Sequence, residues 1–81
     1  MIELRFNKDH LLPKLEKGNV LSIGVNVERF DPKRFFKGKR VTGNFPNGDG
    51  GEKRILDVVK VEPYTKGEKL LFIWIKLAHN Q

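Results

Sequence analysis

The densest chemistry in the chain is one run, Asp31-Pro32-Lys33-Arg34-Phe35-Phe36-Lys37-Gly38-Lys39-Arg40. It holds five of the 16 Lys and Arg residues against a single acid, Asp31. Cations this close in sequence stay close in space in any fold, and such a cluster attracts phosphates. Lys53 and Arg54 open a later apolar run. Antiparallel pairing of that run with 39–45, around turn residues 46–51, places both cations near Asn44 and Phe45, with Arg40 farther down the ribbon. Phe36, Phe72 and Trp74 are candidate stacking surfaces for bases, and Lys76 shares a strand face with Trp74. The nucleic-acid-binding candidates are therefore Lys33, Arg34, Phe36, Lys37, Lys39, Arg40, Lys53, Arg54, Trp74 and Lys76. The competing use of Phe72 and Trp74 is burial, as a second small core beneath a helix.

Catalytic and metal-binding patterns are thin. The single serine, Ser22, has no nucleophile-elbow sequence around it. His10 falls at a helix start and His79 in the terminal tail, and neither is at metal-ligand spacing from another ligand type. Asn47, Asp49 and Glu52 make a fragment of a calcium loop, short of acids and without the bidentate glutamate. Asn47-Gly48 and Asp49-Gly50 read instead as a hairpin tip, because these residues tolerate positive φ. Asp57 sits in an apolar run and needs a partner if buried; Arg40 or Arg54 would serve, and a catalytic carboxylate is the lesser reading. No catalytic residue, metal or cofactor is assigned, and a non-enzyme is expected.

The elements that must position these residues follow from periodicity. Ile2, Leu4 and Phe6 alternate with charged residues as in a strand with one buried face. Asn7 or Asp9 is expected to cap a short helix carrying Leu11, Leu12 and Leu15, ended by Gly18; Pro13 suits only its first turn. Val20–Phe30 reads as a strand with Leu21, Ile23, Val25 and Val27 inward, and Gly24 as its bend or bulge. Asp31-Pro32 starts a helical turn near 31–37 that Gly38 stops. Phe35 and Phe36 diverge by about 100°, so one packs inward and the other is partly exposed. Strands follow at 39–45, 53–61 and 70–77, the second with Ile55, Val59 and Val61 on one face and Leu56 and Val58 on the other. Leu71, Ile73, Ile75 and Leu77 form the better core face of the last. The expected core comprises Leu4, Phe6, Ile23, Val25, Val41, Val59, Ile73 and Ile75. Residues 1–81 thus predict a single α+β, mainly β domain: a small, five-stranded, partly open barrel with a short helix after the first strand. A flat sheet with a helix on one face is the alternative.

Eighty-one residues with 38% apolar and 32% charged side chains suit one small globule with a thin core. The net charge of +6 favours polyanions or an acidic protein surface. No apolar run approaches the roughly 20 residues a membrane helix needs. The charged N-terminus does not read as a signal peptide, and the lack of cysteine suits a reducing compartment, so a cytoplasmic location is expected.

Ile2-Glu3-Leu4-Arg5-Phe6, His10 to Gly18 and a following strand resemble the opening of the PUA-like ASCH domains. Phe36-Lys37-Gly38-Lys39-Arg40-Val41 and Arg54 to Val61 resemble later segments of the same family. The likeness covers most of the chain through element order. Gly18-Asn19-Val20-Leu21-Ser22-Ile23-Gly24 stands where that family carries Gly-x-Lys-x-x-Thr-x-Arg, so no catalytic role is carried over. The resemblance implies a small β-barrel and an RNA- or nucleotide-related role. Three functions compete: a nucleic-acid-binding module favouring RNA or single strands, a module docking on an acidic protein surface, and a small enzyme on a nucleotide-like substrate.

Overall fold

Alternating side chains build five strands and one short helix: β1 (Glu3–Arg5), α1 (Leu11–Glu16), β2 (Leu21–Asn26), β3 (Arg40–Phe45), β4 (Glu52–Pro63) and β5 (Leu70–Leu77). The structure is a computed structural model and describes residues 2–8, 10–46, 51–64 and 69–78. One sheet runs in the order β1-β3-β4-β5-β2. β1 lies parallel to β3, and the other neighbours are antiparallel. β1 and β2 are neighbours in sequence but opposite edges of the sheet, joined through α1. Both edges line the same two clefts, of about 810 and 580 Å³, so the sheet curls into a half-barrel with an open seam. The expected small, partly open barrel is the fold observed.

The concave face carries the core. Leu15, Phe35, Val41, Phe45, Leu56, Val58, Leu71, Ile73 and Ile75 are buried. The register aligns them across strands, with Val41 opposite Leu56, Val58 opposite Ile75, and Ile23 opposite Ile73. Gly43 belongs to this layer for lack of space. A Cβ there would come within 2.8 Å of both Leu56 Cδ1 and Phe45 Cε2, two side chains that are themselves buried. Leu4, Phe6, Ile23 and Val25 are only half-buried and pack around the core's rim, because they sit on or beside the two edge strands.

β4 departs from the expected facing. A bulge between Val58 and Lys60 shifts its register against β5. Leu56 and Val58 face the core before it and Val61 after it, while Ile55 lies 37% exposed on the convex face. Val59 is half-buried at the bulge and does not join the core. Gly24, the expected site of such an irregularity, pairs in regular register with Phe72. β2 also ends earlier than its apolar pattern, at Asn26; one further bond, from Val27 N–H to the Lys69 carbonyl at 2.9 Å, exhausts the pairing that β5 offers.

The helix ends as its sequence requires. Gly18 has φ +90°, and the N–H groups of Gly18 and Asn19 donate to the Leu15 and Lys14 carbonyls at 2.9 and 3.2 Å, a Schellman closure. Its start differs from expectation. His10 occupies the N-cap without a side-chain bond, Asn7 lies one turn too early, and Asp9 lies outside the described residues. Residues 47–50 of the expected tip at 46–51, residues 65–68 and His79 lie outside them as well.

Ile73→Ala should cost about 2–5 kcal/mol in urea unfolding, as a large-to-small change in a closed core. Ile55→Thr, on the convex face, should shift stability by no more than about 0.5 kcal/mol. Equal losses at the two positions would contradict the observed facing.

Candidate nucleic-acid interface

The basic turn is built on one carboxylate. Asp31 Oδ1 accepts from the Lys33 N–H at 2.9 Å, and its carbonyl accepts from Arg34 and Phe35 at 3.0 and 3.2 Å. This closes a single helical turn and no more. Phe35 is buried and pins the turn to the core, while Phe36 is 43% exposed with Lys39 Nζ 5.8 Å from its ring centroid. Gly38 N–H donates to the Val58 carbonyl at 2.7 Å, and Val58 N–H donates to the Lys39 carbonyl at 2.9 Å. The run is therefore held against the middle of β4, beside the bulge. Lys33, Arg34 and Lys37 are exposed and form no ion pair with a described residue.

Strand alternation then gathers Arg40, Lys53, Trp74 and Lys76 on the convex face. Arg40 and Lys76 flank Asp57 from the two neighbouring strands. Arg40 Nε donates to Asp57 Oδ1 at 3.2 Å, which answers the carboxylate's need for a partner. Asp57 lines neither of the two clefts. Lys53 Nζ reaches Glu3 of β1 at 3.3 Å. Arg54 does not join this face. One residue along β4 from Lys53, it turns to the helix side and pairs with Glu52 at 3.1 Å and Glu16 at 3.4 Å. The Glu52 hydrogen bond holds its guanidinium above the usual arginine range against the opposing effect of burial, with Glu16 adding to it.

Phe72 and Trp74 are also convex. Both are half-buried, and α1 packs on the other face, through Leu15 in the core. The second core expected beneath a helix is thus absent at these two rings, because the helix covers the concave side alone. Lys60 Nζ lies 4.4 Å from the Trp74 ring centroid, and Tyr64 meets Phe72 edge-on at 6.1 Å. Lys60 and Tyr64 were not among the sequence candidates. Alternation along β4 gives no clean signal for Lys60, because Glu52 and Arg54 share its even parity while Lys53 and Asp57 are odd.

Ser22 and His10 line one cleft together, but no hydrogen bond joins them, and among the described residues no acid orients His10. No helix in the described residues is long and apolar enough to cross a membrane. No family model, curated protein or solved structure matches the chain, so the functional reading rests on these residues.

Arg40→Gln should lower stability by about 0.2–1 kcal/mol at low salt, since its partner keeps 23% of its side chain in water. The loss should shrink in molar salt, where an exposed pair is screened. Urea titrations of both proteins at two ionic strengths measure it.

Proposed function

We propose that this chain is a small, non-enzymatic nucleic-acid-binding module, cytoplasmic in location, that takes RNA or single strands rather than reading a duplex. The observation that carries the reading is the anchored turn, where Lys33, Arg34 and Lys37 stand in solvent with no ion pair to a described residue. A fixed group of uncompensated cations on a chain of net charge +6 is an electrostatic footprint for phosphates. Lys76 and the ion-paired Arg40, Lys53 and Lys60 lie on the convex face and would add contacts at close range. The six-residue helix is too short to fill a major groove, which disfavours helix-based duplex readout. The resemblance to PUA-like ASCH domains in element order points to the same partner class.

Docking on a protein has its own supporting observation. The seam between β1 and β2 exposes two strand edges above the half-buried Leu4, Val25 and Val27, and edges of this kind accept added strands. Capture from lysate with and without nuclease separates the two readings, since a nucleic-acid partner is lost on digestion.

The turn is best tested at Lys33 and Lys37, because reversing Arg40 would also strand Asp57. The double variant Lys33→Glu/Lys37→Glu should keep its unfolding midpoint and weaken oligonucleotide binding. The slope of log affinity against log salt should become shallower by about 1.4, because two phosphates of a single strand are no longer neutralised. An unchanged slope in anisotropy titrations would remove the turn from the interface.

A further inference from the structure

We propose that Phe72 and Trp74 form a two-base stacking site for a single strand running along β5, an inference that rests on the nucleic-acid reading above. The two rings stand on one face of one strand, two residues apart. That spacing is about 6.7 Å, twice the roughly 3.4 Å step between stacked bases. Consecutive bases reach both rings only after leaving each other's stack. An extended single strand does this readily, whereas a duplex holds its bases stacked and paired.

The large cross-strand neighbours of the two rings lie on one side. Towards β4, Lys60 lies over Trp74 and Tyr64 abuts Phe72. Towards β2, the register neighbours are Ser22 for Trp74 and Gly24 for Phe72. Ser22 offers only a hydroxymethyl group, and Gly24 no side chain. A Cβ at Gly24 would stand 3.4 Å from Leu70 Cδ1 and 3.7 Å from Phe72 Cε1, in contact with both side chains. The smallest side chains of the neighbouring strand thus sit beside the two aromatic rings of this one. Lys76 is the next convex position along β5, so the row presents two rings and then a cation. Two bases and the following phosphate of an extended strand match that row. Lys60 adds charge on the side of Trp74 that the strand does not occupy.

The test compares oligothymidylate and oligouridylate with a blunt duplex of equal length. Trp74 emission reports contact, and anisotropy of a labelled strand reports affinity. Both single strands should quench the emission, and the duplex should bind by charge alone and leave it unchanged. Trp74→Ala should weaken single-strand binding by about 5- to 150-fold, the equivalent of 1–3 kcal/mol per stacked base. Gly24→Val guards against a variant that simply fails to fold. Its backbone suits a β-branched residue, so it should keep or raise the unfolding midpoint while covering Phe72 and weakening single-strand binding at least about 5-fold. Salt-dependent binding without quenching, equal for single strand and duplex and unaffected by Gly24→Val, would overturn the stacking site and leave the nucleic-acid reading standing. Failure of every oligonucleotide to bind at low salt would overturn both.

Discussion

The structure turns on keeping Lys60 out of the core. Before the bulge, even-numbered residues of β4 face inward, with Leu56 and Val58 closed off from solvent. Without an extra residue the next inward position would be Lys60, and burying an unpaired ammonium costs several kcal/mol or more. The bulge at Val59 reverses the parity, so that Val61 packs against the core and Lys60 comes out over Trp74. The same irregularity increases the local twist of a 12-residue strand that pairs with β3 over its first half and β5 over its second. One residue therefore keeps the apolar layer on the inside of the sheet and places the cation beside the aromatic row on its outside.

β1 and β2 are joined through α1 and lie at opposite edges of the five-stranded sheet. Curling brings the edges to a common seam and lets Leu15 reach the same buried layer as Val58 and Ile75. The fully buried layer comes mainly from the three inner strands, with Leu15 and Phe35 closing it. Edge-strand residues such as Ile23 and Val25 make the half-buried rim. A chain of this size has little more to bury.

Much of this was legible from residue types. Period-two runs placed β1, β3 and β5 and their inward faces, and Asp31-Pro32 with Gly38 bounded the basic turn. Adjacent Phe35 and Phe36 had to split between core and solvent, and they do. What periodicity alone did not place was the parity change in β4, because Ile55, Val59 and Val61 mimic an apolar face of their own. The charged residues do not mark the change either, because Glu52 and Arg54, which pair with each other, share the even parity of Lys60 and Glu62. Arg54 illustrates the limit at the candidate site. Proximity in sequence grouped it with Lys53, but strand alternation sends neighbours to opposite faces, and Glu16, distant in sequence, completes its pairing.

On the proposed nucleic-acid reading, the convex face and the basic turn would divide the work of recognition between them. On the sheet most cations are already engaged: Arg40 with Asp57, Lys53 with Glu3, Lys60 with Glu62 and the Trp74 ring. A phosphate approaching there must compete with carboxylates at close range, so the sheet adds little net attraction at long range. On the turn, Lys33, Arg34 and Lys37 face no such competitor among the described residues. On that reading attraction and its salt dependence would belong mainly to the turn, and discrimination to Phe72 and Trp74. Backbone hydrogen bonds from Gly38 to Val58 and from Val58 to Lys39 hold the turn against β4. Charge can draw a polyanion in, and only a strand able to unstack its bases would gain from the rings.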